Sequence, residues 1–298
     1  MTMDMTLLPP PAVIELLDFE VTLQQHKTQF QELCAEAGID YAQLLESDPV
    51  TKLLELGAYR EMLMRQRIND AAKACMLAYA VGTDLDNQAA NFQVQRLLVT
   101  PADPTAIPPV PAVYESDDRL RERAQLAMEG ITTAGPKESY RFHALTASAQ
   151  VADVGVDSPA PGTVRVTILS AAAHGVPDEP LLATVRNAIN AEHIRPLCDT
   201  VLVQAVEIIE SPITATMYRQ PGAAGEVAAA QARKELDSWL LSVRRLGAGL
   251  PRSGIDAALH QPGMSRIDID APADDILCTK TQWVRVTGIT LTEVVVDE

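Results

Sequence analysis

Between Ala12 and Ala37 the apolar positions recur at helical spacing. Ile14, Leu17 and Val21 fall on one line, with Leu16, Phe19 and Leu23 beside it. Phe30, Leu33 and Ala37 continue that line toward Gly38, a residue suited to a C-cap. The pattern predicts one helix over 12–37, about 39 Å long at ~1.5 Å per residue. A terminal helix of that length with one apolar stripe is expected to pack outside its own module, and a helix folded back on its own chain is the plain alternative. A second helix is predicted from Pro49 to about Val81, with the small-residue stripe Leu53, Gly57, Met64, Ile68, Ala71, Cys75 and Ala78. Gly82-Thr83-Asp84 then stops it and opens a third helix through Phe92.

From Thr100 to Pro111 the periodicity gives way to Pro101, Pro104, Pro108, Pro109 and Pro111. Such a run is expected to be an extended, semi-rigid spacer reaching roughly 35 Å at ~3.1 Å per residue. Beyond it the pattern alternates between helical and strand periods. Helices are predicted from Asp117 to about Gly130, Pro136 to Ser148 and Asp178 to Ile194, with strands at 151–157, 163–169 and 200–209. A second block has strands at 214–218, 264–270 and 282–296, a long helix from Glu226 to Leu246 and a short one ending at His260. Ala144-Leu145…Val154-Gly155-Val156-Asp157-Ser158-Pro159 is echoed by Ala258-Leu259…Ile267-Asp268-Ile269-Asp270-Ala271-Pro272 about 113 residues later. The fold class expected is α+β: an N-terminal long-helix region (1–99), a Pro-rich linker (100–114), and two small α+β domains (115–210 and 211–298) with an internal repeat.

Composition narrows the partners. The chain has 298 residues and a formal charge of −16, which opposes binding to nucleic acid and to anionic membrane surfaces. Aromatic residues are 4% of the total, too few for rows of base-stacking rings. The acidity is uneven: 7 basic and 14 acidic residues in 1–100, 8 and 15 in 101–210, but 9 and 11 in the last 88. Cys34, Cys75, Cys198 and Cys278 are widely spaced with no CxxC pair, and two sit in helical Ala/Leu contexts as small buried residues would. No basic n-region precedes an apolar core near the N-terminus, and no run is long enough to span a bilayer, so synthesis in a reducing cytoplasm is expected.

The chain offers little for catalysis. It has no GxSxG elbow, no HExxH and no phosphate-cradling loop, and His26, His143, His174, His193 and His260 are scattered. Gly247-Ala248-Gly249-Leu250-Pro251-Arg252 lacks the third glycine of a dinucleotide fingerprint, and Asp84-x-Asp86-x-Gln88 lacks the glycine and glutamate of a calcium loop. Asp117-Asp118 and Asp178-Glu179 are explained by helix starts, and Arg119, Arg121 and Arg123 as solvated or ion-paired. Asp274-Asp275 is the pair through which a metal-dependent hydrolase would work. No cofactor, metal or catalytic residue is expected.

Several stretches, in this order and spacing, resemble the baseplate J-like protein family, the wedge proteins of contractile phage tails and R-type pyocins. They are Glu46-Ser47-Asp48-Pro49, Arg65-Gln66-Arg67-Ile68-Asn69-Asp70-Ala71, Gly82-Thr83-Asp84-Leu85-Asp86-Asn87-Gln88-Ala89 and Glu115 to Arg123. Ala134-Gly135-Pro136-Lys137-Glu138-Ser139-Tyr140 and Val154 to Pro159 with Pro161-Gly162-Thr163-Val164 complete the set. The resemblance implies a structural protein without an active site. It implies N-terminal helices bundled with a second copy and a smaller wedge protein, and C-terminal domains that join neighbouring wedges in a ring touching hub or sheath-initiating proteins. That ring would open to release sheath contraction. The bundle contacts would come from Ile14, Leu17, Val21, Phe30 and Leu33, the hinge from the five prolines, and ring contacts from the near-neutral last domain. A cytoplasmic assembly scaffold absent from the finished particle is the other reading.

Overall fold

The structure, a computed structural model, describes every residue except 1–4, 6–7, 10, 40, 42, 132–134, 193, 197 and 297–298. Pro10, Ala134 and His193 therefore lie outside the described residues. The chain forms two compact units, Met1–Gln95 with Ser116–Glu122, and Arg96–Glu115 with Arg123–Glu298.

The first unit is helical. Its helix α1 runs from Phe19 to Glu36, α2 from Pro49 to Ala74 and α3 from Gly82 to Ala90. The helix expected from Ala12 starts only at Phe19, because Asp18 takes an extended conformation and its carboxylate accepts hydrogen bonds from the Glu20 and Val21 amides. A short acceptor at that point caps the helix and stops it growing backward. α2 ends at Ala74 rather than Val81. Beyond it the carbonyls of Leu77 and Ala80 accept from the buried Arg121 guanidinium at 2.9 and 2.8 Å, so these orphan acceptors are satisfied without more helix. Arg121 also pairs with Asp118 at 2.9 Å, the ion-paired one of the two expectations for it.

The second unit opens with a correction to the spacer. Strands β1 (Leu98–Thr100) and β2 (Val113–Tyr114) pair antiparallel, Leu98 opposite Tyr114, with a further bridge between Asp103 and Val110. All five prolines lie in the loop this hairpin closes, so the chain leaves close to where it entered and has no extended reach. The reversal begins at Asp103, whose side chain accepts from the Thr105 and Ala106 amides and the Thr105 hydroxyl. The hairpin's base is fixed by charge. Glu115 and Arg123 form a fully buried ion pair, and the same Glu115 carboxylate accepts from the Leu97 amide at 2.9 Å. Arg96 adds a bond to the Glu115 carbonyl at 2.8 Å.

The first α+β domain follows. It comprises α4 (Asp117–Leu126, shared between the units), a 3₁₀ turn over Ala127–Ile131, α5 (Lys137–Ala147), β3 (Val151–Ala160), β4 (Thr163–Ser170), α6 (Glu179–Ile189) and β5 (Thr200–Ala205). Its sheet has the order β3-β4-β5, antiparallel then parallel. Leu126, Tyr140, Leu145, Val166, Ile168 and Val185 lie in the core beneath it. The second domain comprises β6 (Glu207–Arg219), α7 (Ala223–Ser242), α8 (Arg252–Leu259), β7 (Met264–Ala271) and β8 (Gln282–Val295), with sheet order β7-β6-β8. Ile213, Ala215 and Met217 of β6 meet Ala232 and Leu236 of α7 and Ile255 and Leu259 of α8 in its core.

The sequence echo has a structural counterpart of limited extent. Its two copies fall on β3 and β7, and each is the antiparallel edge strand that follows a helix pair. The central strand differs: β4 comes after β3, whereas β6 precedes its helices. The similarity is therefore helix–helix–edge strand, not a whole duplicated domain.

Between the two sheets there is one residue. The strand expected over 200–209 divides at Val206, and β6 runs straight through the expected boundary at 210/211. The Val206 amide donates back to Ile168 of the first sheet at 3.1 Å, and the Glu207 amide donates to Thr281 of the second at 2.9 Å. Val206 is buried with Leu169 and Trp283, and Leu246 and Ile208 pack around them. Asp153 of β3 accepts from the Leu246 amide at 2.8 Å and pairs with Arg141. Arg244 donates to the carbonyls of Ser170 and Ala171 while its guanidinium lies over the Trp283 ring. Gly155 is required here, since a Cβ would sit 2.4 Å from the Lys280 carbonyl oxygen.

Two outcomes follow from this packing. Gly155→Ala should cost about 1–3 kcal/mol in urea unfolding by forcing the sheets apart, and a change below ~0.5 kcal/mol would show that the junction yields freely. Arg123→Met should cost about 3–5 kcal/mol because it strips a buried carboxylate of this guanidinium. The double variant Glu115→Gln/Arg123→Met should recover part of that loss, because the glutamine oxygen still accepts from Leu97 without carrying charge.

Candidate assembly surface

α1 and α2 lie antiparallel, held by a polar clamp on one side of each. His26 Nε2 and Glu61 Oε2 are 2.7 Å apart, and Arg65 meets the other Glu61 oxygen at 2.7 Å. The hydrogen bond to His26, with help from Arg65, holds the Glu61 carboxyl below its ordinary range. Further along, the buried Asn69 uses both ends of its amide: Oδ1 accepts from the Glu15 amide at 3.0 Å and Nδ2 donates to the Glu15 carbonyl at 2.9 Å. Gly57 lets His26 approach, a Cβ there being 3.3 Å from His26 Nδ1. Thr22, Leu23, Thr51 and Ala58 are buried on these helices.

Because the clamp uses the Thr51–Ala58–Asn69 side of α2, the opposite side is left outward. At ~100° per residue two apolar rows flank that outer line, centred roughly 110° apart around the helix. Leu56, Tyr59 and Leu63 form one, and Leu53, Met64 and Ile68 the other, each 48–69% exposed. Arg60 and Arg67 punctuate them. With those two arginines between them, the exposed rows make a candidate contact surface and not one continuous apolar band.

The residues expected to build that contact fare differently. Ile14 and Leu17 precede the Asp18 cap and are half-buried outside the helix. Phe30 is half-buried and set edge-on against Tyr41, with ring centroids 5.4 Å apart. Val21 and Leu33 are exposed at 55% and 57%, but lie about a third of a turn apart around α1, so they form no single line. Between them the surface is polar: Gln24, Gln25, Thr28 and Gln29. The outward rows of α2 were missed because a period reading groups Leu53, Met64 and Ile68 with Gly57 and Ala71 as helix-packing residues. The signal that separates them is the second row, Leu56, Tyr59 and Leu63, at i, i+3, i+7.

The chemical candidates are engaged structurally. Asp275 accepts from the Arg252 amide at 2.7 Å at the start of α8, and Arg252 itself binds the carbonyls of Ile269, Pro272 and Ala273. Asp178 caps α6 through the Leu181 amide at 3.0 Å. Cys75 and Cys198 are exposed, not the buried residues expected, while Cys34 and Cys278 are half-buried. Among the described residues no group of three or more His, Cys, Asp or Glu is placed to hold a metal ion, and no helix is long and apolar enough to cross a membrane.

Known proteins match along most of the chain. Family models match in chain order: the Baseplate J-like N-terminal domain over 46–103, the Baseplate J-like central domain over 132–205 and the Baseplate J-like protein C-terminal domain over 211–292. The last two matches end and begin on either side of Val206. Baseplate protein J of Escherichia phage P2 is 45% identical over 282 residues, covering 94% of this chain and 93% of its own. Among solved structures, a chain of the anti-feeding prophage baseplate, 6-fold symmetrised, covers 92% of this chain and 53% of its own length at 12% identity and a TM-score of 0.33. With three consecutive domain models and a relative of this identity and coverage, the chain belongs to the baseplate J-like protein family.

Proposed function

We propose that this protein is a structural wedge component of a contractile-tail baseplate, working by assembly and not by catalysis. The observation that carries the reading is the pair of apolar rows on the outer side of α2, within the matched N-terminal domain. Leu53, Leu56, Tyr59, Leu63, Met64 and Ile68 form the face that enters a helical bundle. Its companions there are helices of a second copy and of a smaller wedge protein.

The two α+β domains, fixed to one another at Val206, then face the neighbouring wedges in a ring around the hub. Opening of that ring releases the sheath. Support for the ring role comes from charge: the last 88 residues are nearly neutral in a chain of −16, and interface cores are depleted in charge. The proline hairpin is not a strut in this scheme but a short fixed projection from the α+β unit, available for contact through Ile107 and Val110.

The double variant Leu56→Glu/Leu63→Glu tests the bundle. Both side chains are outward, so the purified variant should keep its helical circular dichroism and unfold within about 0.5 kcal/mol of the parent. Co-expressed with the products of neighbouring open reading frames, it should bind them at least about tenfold more weakly. Unimpaired binding and incorporation would refute the α2 bundle. If mass spectrometry finds the parent chain absent from purified particles, the protein is an assembly scaffold instead.

A further inference from the structure

Among the described residues, two exposed arginines on the outer line of α2, Arg60 and Arg67, meet no hydrogen-bond acceptor. They are seven residues apart, so they point within about 20° of each other, on the side opposite the buried Ala58 and Asn69. Their separation along the helix axis is about 10.5 Å at ~1.5 Å per residue. The local sequence explains why they stand alone. Three and four residues from Arg60 lie Leu56, Gly57, Leu63 and Met64, none of them acidic. Arg67 has Asp70 three residues on, but that carboxylate accepts from the Gln66 side-chain amide at 2.7 Å. The other bases of α2 are placed differently. Lys52 meets Glu55 at 2.9 Å, Arg65 meets Glu61 at 2.7 Å, and Lys73 lies in the last turn, where the helix end favours a cation.

An exposed arginine in water needs no partner, but these two lie between apolar rows. For α2 to enter a bundle, Leu56 and Leu63 on one side and Leu53 and Met64 on the other must be covered. A helix seated between the rows has its axis ~8–10 Å away and lies over both guanidiniums. An apolar ridge there would take two charges out of water and return nothing, which opposes the gain from the rows. The ridge facing Arg60 and Arg67 must therefore bring acceptors. A carboxylate serves best, because it takes two parallel N–H bonds from one guanidinium.

We propose that the helix seated on α2 belongs to a different chain and carries two Asp or Glu residues seven apart, one for each arginine, with apolar residues on either side for the two rows. This rests on the bundle reading and names the chemistry of the partner in it. Seven residues is the spacing that reproduces both the ~10.5 Å rise and the common direction of the two guanidiniums on a facing helix. A second copy does not meet the requirement. Its acids are Glu20, Glu32 and Glu36 in α1 and Glu55, Glu61 and Asp70 in α2, no two of them seven apart, and its other helices have no such pair. A carboxylate in contact lies ~3 Å from its guanidinium, well inside the ~8 Å screening length that weakens repulsion from the rest of the acidic chain.

The test uses the full-length chain co-purified with the products of neighbouring open reading frames. Arg60→Lys and Arg67→Lys place a primary amine at each position, and a carbodiimide joins an amine to a carboxylate in direct contact with it. Mass spectrometry should locate links from positions 60 and 67 on two Asp or Glu residues seven apart in one partner helix. Arg60→Gln/Arg67→Gln should weaken the complex about tenfold, and Arg60→Glu/Arg67→Glu about a hundredfold, with circular dichroism retained. The parent's Kd should also rise more steeply with salt than that of the glutamine variant. Links to a second copy of this chain, no link to a partner carboxylate from either position, or binding by the charge-reversed variant equal to the parent's overturns the proposal. Leu56→Glu/Leu63→Glu separates the two readings. If it abolishes binding while the arginine variants bind as the parent does, the bundle stands and the carboxylate pairing fails. If it binds as the parent does, the bundle reading fails and this proposal fails with it.

Discussion

At Val206 two successive backbone amides are committed to different sheets, one to Ile168 and the next to Thr281. A chain with that constraint has no linker in which rotation could be absorbed. Turning one sheet against the other would break ladder hydrogen bonds and expose Leu169, Val206 and Trp283, which are buried together. The surrounding contacts reinforce the restriction. Asp153 reaches from β3 to the Leu246 amide, Arg244 binds the carbonyls after β4, and Gly155 brings the backbone of one sheet against that of the other. The two α+β domains are therefore separate in core and in family-model boundaries, yet mechanically they behave as one body.

The outward rows of α2 show why such a chain works in company. Burying a Leu- or Met-sized side chain fully is worth ~1.5–3 kcal/mol, and these six are already about half covered. Together they offer roughly 5–9 kcal/mol, against an association cost of ~4–15 kcal/mol. One face meeting one small partner is marginal on those figures. A bundle of several helices changes the balance, since each added helix brings its own apolar face and the chain already presents α1 and α2 as a prearranged pair. The His26–Glu61 and Asn69–Glu15 contacts supply that prearrangement by fixing which side of α2 stays outward.

How much of this is legible in the sequence depends on the range of the interaction. Most helices and strands of the α+β part fall within a few residues of their predicted bounds, because a buried face imposes its period locally and residues such as Asp178 mark where a helix begins. The departures arise where a local pattern is overruled. Asp18 ends the apolar line through Ile14 and Leu17, a capping signal that periodicity alone overlooks. Five prolines look like a strut until Leu98 pairs with Tyr114, a contact that no property of the loop announces. Arg121 and Arg123 are ion-paired, as one of the two expectations had it, but nothing in their spacing shows that the first also binds carbonyls after α2 or that the second is buried. For the assembly surface the family was readable from motif order. Its face was not, because apolar residues at helical spacing look the same whether they turn toward the chain's own core or toward another chain.

Charge unevenness acquires a concrete meaning on the last domain. Its near-neutrality is not a scarcity of charges but a pairing of them: Arg219 and Arg233 with Glu293, Arg266 with Asp268, and Arg285 with Glu210. Pairs a few ångströms apart cancel well within the ~8 Å over which salt screens a single charge, so these pairs add little net field. The helical first unit has ion pairs of its own, such as Lys52 with Glu55 and Arg65 with Glu61, but with twice as many acids as bases in residues 1–100 its carboxylates outnumber the available cations.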